Sequence, residues 1–320
     1  MAFRKSASVK IGGKFLATGE SGSGKSYFAL TFPRIGAIDS EVGLAHYENR
    51  EIEIGGKKYK NLEFVDDTAD LDEIESDLDD ILNGEYDDQI DTFVVDSETK
   101  IYNNMTTGAT EETERKAKLS GKNADQRKMW AIVKMINHKT QQAKITLSAK
   151  GKHIVSVAQG KYTKDDDTGV VEWKIDAHSS LKFDYDTVLR FFTEKDKKTG
   201  VVRYYAEVLK DRSEVTKVGD IIENCTFDIW KDYYDNMMKN GESVGANYSK
   251  DVKTSTKSVQ TQVEKNETLA EDIKTKLKAL PQDKQRLVKG KIDELEIDIK
   301  QLAFAETDKL TKLNEFIDKI

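Results

Sequence analysis

The sequence predicts an α/β protein: a mainly parallel sheet flanked by helices, antiparallel strands at one edge, and a small carboxyl-terminal helical bundle. Three observations predict it. Short β-branched and aromatic runs alternate with helical patterns through the first half of the chain, the mark of β-α-β units. Two later runs, Thr187-Val188-Leu189-Arg190-Phe191-Phe192 and Val201-Val202-Arg203-Tyr204-Tyr205-Ala206-Glu207-Val208, flank the turn Asp196-Lys197-Lys198-Thr199-Gly200, which closes the core with antiparallel strands. Residues 241–265 are polar and show no helical or strand period, whereas 266–320 carry three apolar helical patterns. The expected division is a core at 1–240, a flexible linker at 241–265 and a helical docking module at 266–320.

Taken in order, Lys14-Phe15-Leu16-Ala17-Thr18 reads as a short buried strand, and Tyr27-Phe28-Ala29-Leu30-Thr31-Phe32 as a helix stopped by Pro33. Arg34-Ile35-Gly36-Ala37-Ile38-Asp39 reads as a second strand ending in the polar cluster Asp39-Ser40-Glu41. Gly55-Gly56, between Glu51-Ile52-Glu53-Ile54 and Lys57-Lys58-Tyr59, marks a hairpin turn. Leu62-Glu63-Phe64-Val65-Asp66 reads as another strand. Leu71, Ile74, Leu78, Ile81 and Leu82 then recur at helical spacing. Between Asn61 and Thr99 stand sixteen acids and no Lys or Arg, which that helix would carry on its wet face. Thr92-Phe93-Val94-Val95-Asp96 is a strand closing on an aspartate.

From Arg115 to Lys164 the charge inverts to thirteen bases against Asp125 alone, a net +12. This stretch holds one or two helices, with Trp130, Val133, Ile136 and Thr140 on one face, and then the strand His153-Ile154-Val155-Ser156-Val157-Ala158 ending in Gln159-Gly160. Residues 162–173 read as a polar hairpin or loop, and a helix over 227–238 closes the core. In the tail, Pro281 marks the first helix boundary.

Composition narrows the chemistry. The 320 residues carry 34% charged and 37% hydrophobic side chains and a net charge of −7, enough for a large core with a heavily solvated surface. The single cysteine, Cys225, rules out an internal disulfide, and the four histidines, His46, His138, His153 and His178, form no sequence-local metal motif. No apolar run approaches a membrane span and Met1-Ala2-Phe3-Arg4-Lys5 shows no signal-peptide pattern, so a cytoplasmic protein without membrane contact is expected. The sign asymmetry points to a polyanionic partner for the basic face.

The stretch with the most specific chemistry is Gly19-Glu20-Ser21-Gly22-Ser23-Gly24-Lys25-Ser26, which fits G-x-x-x-x-G-K-[ST] between a strand and a helix. Glycines there turn successive backbone N–H groups onto a polyphosphate at the positive end of the following helix. Residues 19–27, ending in Tyr27, are therefore the expected nucleoside-triphosphate-binding segment. Lys25 would reach the β- and γ-phosphates, and Ser26 would hold Mg²⁺ through its hydroxyl. Asp96, delivered by a buried strand to the same sheet edge, is the expected second carboxylate for that metal.

The order of motifs extends this reading. Residues 19–26, Ile38-Asp39-Ser40-Glu41, Val94-Val95-Asp96-Ser97, Val157-Ala158-Gln159, Leu181-Lys182-Phe183 and Leu209-Lys210-Asp211-Arg212 together resemble the RecA-type recombinase core. Among such proteins the chain is most similar to the phage-encoded, shortened RecA-like ATPases of the Sak type, which promote single-strand annealing. The resemblance covers residues 13–235. It implies that Glu41 orients and deprotonates the attacking water, with Glu98 as the rival base. It implies that Gln159 senses the γ-phosphate and passes its state to the loop after Gly160. It also implies that Lys210 and Arg212 act in trans on the neighbouring subunit's site, so that the protein self-associates with nucleotide sites at subunit interfaces. Only about a dozen residues precede the first strand, so the amino-terminal arm of full-length recombinases is reduced or missing.

The leading expectation is thus a DNA-stimulated ATPase that binds single-stranded DNA and promotes annealing or recombination in a host cell's cytoplasm. Two segments, 106–123 and 160–177, are the expected DNA-lining loops, with Tyr162 and Trp173 either stacking on bases or packing. A P-loop motor or loader acting on duplex DNA is one alternative. The other is an ATP-gated, non-catalytic scaffold whose bundle recruits a single-strand-binding protein. The bundle holds eleven bases against twelve acids, which suits protein docking better than a nucleic-acid grip.

Overall fold

The computed structural model describes residues 5–121, 123–164, 169–243, 245–299, 302 and 305–320. Two compact units divide the chain, Met1–Ser249 and Lys250–Ile320. The first unit opens with β1 (Lys14–Gly19), α1 (Lys25–Ala29), β2 (Ile35–Asp39), the hairpin β3 (Ile52–Ile54) and β4 (Lys57–Tyr59), and then β5 (Leu62–Asp66). It continues through α2 (Leu71–Asn83), β6 (Thr92–Asp96), α3 (Glu98–Ser120), α4 (Gln126–Ala149), β7 (His153–Lys164) and β8 (Val171–Ile175). It ends with α5 (Leu181–Asp184), β9 (Thr187–Lys195), β10 (Val202–Asp211), β11 (Ile221–Glu223) and α6 (Asp228–Asn240).

One large sheet runs in the order β11-β10-β9-β1-β7-β6-β2-β5, with β8 added to β7. The six strands from β9 to β5 in that order are parallel. β10 and β11 form an antiparallel edge and β8 pairs antiparallel with the end of β7. The sheet is thus mixed α/β, mostly parallel, with helices on both faces.

Strand residues alternate between two cores because side chains point to opposite faces at a period of two. Phe15 on one face packs with Phe28, Phe32, Phe227, Trp230 and Tyr234; its ring centroid lies 5.0 Å from that of Phe32 and 5.3 Å from that of Trp230. Leu16, the next residue, joins Phe93, Ile154 and the inner faces of α2, α3 and α4. On α2 the buried residues are Ile74, Leu78 and Ile81, so the acidic run does lie on the outer face of an amphipathic helix. Asp70 caps that helix by accepting from the backbone N–H groups of Asp72 and Glu73.

Three sequence expectations are corrected here. Most of the expected linker, residues 248–265, is helical: α7 runs from Tyr248 to Ala279. The stretch from Ala246 to Ala279 contains no Gly or Pro, and its Lys, Gln, Glu and Ala favour the helix even where nothing apolar repeats clearly. Of the expected loop 106–123, residues 106–120 are helical, since α3 continues through Ser120 and stops where Gly121 turns left-handed at φ 63°. The helix after the phosphate motif is short, ending at Ala29 rather than Phe32. In the second unit α7 packs with α8 (Gln282–Glu294) and α9 (Thr307–Lys319) through Ala270, Ile273, Val288, Ile292, Leu310, Leu313 and Ile317. No helix among the described residues is long and apolar enough to cross a membrane.

Candidate functional site

The carboxyl ends of β1, β6 and β2 meet at one edge of the sheet. β1 ends at Gly19 and leads into the glycine-rich turn. Gly24 takes φ 98°, a left-handed conformation that glycine adopts without strain. At Gly19 a Cβ would lie 2.4 Å from the Phe191 carbonyl oxygen, so only glycine lets β9 pass this close. Ser23 Oγ donates to the Glu20 carbonyl at 2.8 Å, and Lys25 Nζ donates to the same oxygen at 2.7 Å. Burial pushes the Lys25 ammonium pKa down, opposed by Asp96, Glu41 and Glu20.

In-register pairing places Asp39 beside Asp96. The Ser26 hydroxyl donates to Asp96 Oδ2 at 2.5 Å, across a 70-residue separation. Burial raises Asp96 to about 6 while the Ser26 hydrogen bond opposes it. A hydroxyl and a carboxylate converging at a sheet edge, beside a phosphate-type turn, form a donor set that fits Mg²⁺: hard oxygen ligands with room for water and phosphate oxygens. Ser26 and Asp96 would hold the ion, which would supply positive charge against the negative charge of a bound polyphosphate.

Glu41 lines the same pocket. Its Oε1 accepts from Ser97 Oγ at 2.9 Å and from Gln159 Nε2 at 3.4 Å. Asp39, buried at the end of β2, accepts from the backbone N–H of Glu41 at 3.1 Å and of Leu44 at 2.5 Å, which fixes the turn that presents Glu41. Gln159 stands at the root of the β7–β8 hairpin, and its backbone N–H donates to Thr99 Oγ1 at 2.9 Å. Sequence reasoning noted the Asp39-Ser40-Glu41 cluster but gave no role to Asp39, Ser40 or Ser97. Each is a short polar residue next to a strand end, a signal too common to single out before the register is known.

Glu98 is placed elsewhere. It points under the sheet edge, where Lys144 Nζ pairs with it and Ser156 Oγ donates to it at 2.6 Å; side-chain exposure is 2% for Lys144 and 8% for Glu98. Of the two candidate bases, only Glu41 faces the pocket.

Lys210 and Arg212 do not reach the pocket of their own chain. β10 runs antiparallel to β9, and Lys210 pairs with Val188, which pairs with Leu16, toward the opposite end of β1 from Gly19. Lys210 Nζ donates to the carbonyls of Lys182 at 3.1 Å, Phe183 at 3.4 Å and Tyr185. Arg212 is largely exposed and pairs with Asp186 at 3.4 Å.

Tyr162 and Trp173 face each other across the β7–β8 hairpin, and Arg190 on β9 lies against both rings, 5.3 and 5.7 Å from their centroids. Trp173 Nε1 donates to Thr18 Oγ1 at 3.3 Å. Trp173 is therefore a packing residue here, while Tyr162 stays half exposed. Part of the expected 160–177 loop, residues 165–168, lies outside the described residues.

A glycine turn with Lys25 and Ser26 after β1, Asp96 on a strand separated from β1 by β7, and Glu41 after the next strand define a P-loop ATPase domain. Residues 12–219 match the AAA domain family AAA_24, and the chain belongs to that family. Among solved structures, the chain is similar to the flagellar accessory protein FlaH from Methanocaldococcus jannaschii, with 11% identity and a TM-score of 0.35 over 67% of this chain and 85% of that one. It is also similar to a KaiC-like protein from the hyperthermophilic archaeon Pyrococcus horikoshii, with 13% identity and a TM-score of 0.36 over 67% and 85% of the two chains. No curated protein matches the chain.

Proposed function

We propose that this protein is an ATP-hydrolysing, RecA-like recombination ATPase that binds single-stranded DNA and self-associates. The observation that carries the ATPase reading is the convergence of Ser26 with Asp96 at 2.5 Å and of Glu41 with Ser97 and Gln159 at one pocket. In this reading the backbone N–H groups of residues 19–27 and Lys25 hold the triphosphate. Ser26 and Asp96 hold Mg²⁺, and Glu41, oriented by Ser97, takes the proton of the attacking water.

Support for a DNA response comes from Gln159. Its side chain touches Glu41 and its backbone begins the β7–β8 hairpin, which carries Lys161, Lys164 and Lys174 and the half-exposed Tyr162. A strand of DNA lying on that hairpin and on the basic helix α4 would gain affinity by neutralising phosphates. Lys210 and Arg212, directed away from their own pocket, would serve a neighbouring copy. The annealing role and the phage setting rest on the order of motifs.

ATP turnover measured with and without single-stranded DNA tests the reading. Lys25→Ala is expected to abolish nucleotide binding, and Glu41→Gln to leave binding while removing turnover. Nucleotide binding without turnover in the wild type, with or without DNA, would favour the scaffold alternative, and stimulation by duplex DNA alone would favour the motor.

A further inference from the structure

The cavity beside the phosphate turn encloses about 680 Å³, and its two halves differ in chemistry. Asp96, Asp39, Glu41, Lys25 and Ser26 occupy the half on the β6 side of β1. On the β9 side the wall is Phe191, Tyr204 and Tyr205, with Asn224 just past β11 and Ile54 and Gly55 at the turn of the β3–β4 hairpin. Among the described residues no Lys or Arg lines this second half, and Glu53 stands on its wall. That lining repels phosphate and suits a flat, neutral ring.

Its walls are fixed in place. Tyr204 sits directly against the phosphate turn, with Cδ1 3.4 Å from where a Cβ on Gly24 would lie. Tyr204 is 44% exposed, and it forms no ring pair with another aromatic among the described residues. Tyr205, by contrast, is stacked on Phe192 at 5.6 Å. The Asn224 backbone N–H donates to the Tyr204 carbonyl at 3.0 Å, and Asn224 holds a left-handed φ of 53°. Its side-chain amide has no hydrogen-bond partner among the described residues, leaving a donor and an acceptor for a ligand. Across the gap, Asp228 anchors the β3–β4 hairpin by accepting from Lys57 Nζ at 2.7 Å and Tyr59 OH at 2.6 Å. Gly55 comes within 4.0 Å of the Asn224 Cβ when given a Cβ of its own.

We propose that this half is a purine seat: the base of the bound nucleotide stacks on Tyr204 between β10 and the β3–β4 hairpin, and the Asn224 amide reads its edge. The proposal rests on the nucleotide-binding reading of the phosphate turn and adds which nucleotides the site prefers. A purine covers the tyrosine ring more fully than a pyrimidine does, so the site discriminates against CTP.

The test is calorimetric titration of the full chain, in Mg²⁺, with ATP, ITP, CTP and inorganic tripolyphosphate. The wild type is expected to bind ATP more tightly than CTP or tripolyphosphate. Tyr204→Ala should weaken ATP about tenfold, the usual scale of aromatic base stacking, while tripolyphosphate stays within about twofold. Tyr204→Phe should retain ATP affinity. Asn224→Gly, which keeps the left-handed turn without strain, should narrow the gap between ATP and ITP. The seat is overturned if Tyr204→Ala weakens ATP and tripolyphosphate equally, or weakens neither. If the wild type binds tripolyphosphate as tightly as ATP, the seat falls while the phosphate turn stands; if it binds neither, both fall together.

Discussion

Replacing Lys144 by alanine is expected to cost the first unit about 3–5 kcal/mol, the loss found when one partner of a buried ion pair is removed. The site sets that scale. Lys144 and Glu98 expose 2% and 8% of their side chains, and the remaining donors to Glu98 are hydroxyls, Ser156 Oγ at 2.6 Å and Tyr185 OH at 3.5 Å. Without the ammonium, a carboxylate stays enclosed with two neutral donors, too few to replace water. The double variant Lys144→Met with Glu98→Gln removes both charges and should recover most of the loss, because neutral groups of similar volume replace a buried ion pair at little cost. Urea unfolding followed by tryptophan fluorescence is the assay, since Trp130, Trp173 and Trp230 all lie within Met1–Ser249. With m near 1–3 kcal/mol/M, the single variant should shift the midpoint by about 1 M or more. A loss under ~1 kcal/mol, or a double variant as damaged as the single one, would show that the pair does not carry its burial.

Burial lowers His153 to about 4 from its ordinary 6.5, while Nδ1 accepts from Gly13 N–H at 3.0 Å. The unfolded state therefore binds the extra proton first as pH falls, and stability drops by up to ~3 kcal/mol between pH 6.5 and 4; His153→Asn, which keeps an acceptor, should flatten that part of a pH series of urea midpoints. Asp96 has the opposite sign. Raised to about 6 by burial, its ionised form destabilises the fold as pH climbs through that value, so Asp96→Asn should be more stable than the wild type above pH 6 by ~2–3 kcal/mol. The same variant should lose the Mg²⁺ dependence of ATP binding, measured by titration with and without the metal. Arg190→Ala should loosen the β7–β8 hairpin, since Arg190 contacts Tyr162, Trp173 and Phe192 and pairs with Glu207; faster tryptic cleavage after Lys161, Lys164 or Lys174 checks it.

Much of the first unit was legible because strand periodicity, turn residues and the phosphate motif are local signals. The segments that were misread lack such signals. Residues 248–265 join polar helix formers with Val252, Val259 and Val263 too sparsely to mark a face, and α3 passes through Gly108 without breaking. Sequence distance also hid the purine seat, which gathers Ile54, Gly55, Tyr204 and Asn224 from elements that meet only when β10 returns beside β9 and the β3–β4 hairpin is tied down at Asp228.

The choice between Glu41 and Glu98 shows most clearly where local reading ends. Each stands two residues past an aspartate at a strand end, and those aspartates, Asp39 and Asp96, are paired across β2 and β6. In sequence the two glutamates are equivalent. What separates them is the chain that follows. After β6 a helix begins at Glu98 itself, capped by Ser97, and its first turn directs Glu98 inward to Lys144 on α4 and Ser156 on β7. After β2 no long helix begins; the Asp39 carboxylate instead ties down the backbone at Glu41 and Leu44, holding an open turn that leaves Glu41 on the pocket wall. Ser97 serves both outcomes, since its hydroxyl accepts from the N–H of Lys100 in the first turn of α3 and donates to Glu41 across the edge. The helix that removes one glutamate from the site therefore carries, at its cap, the hydroxyl that orients the other.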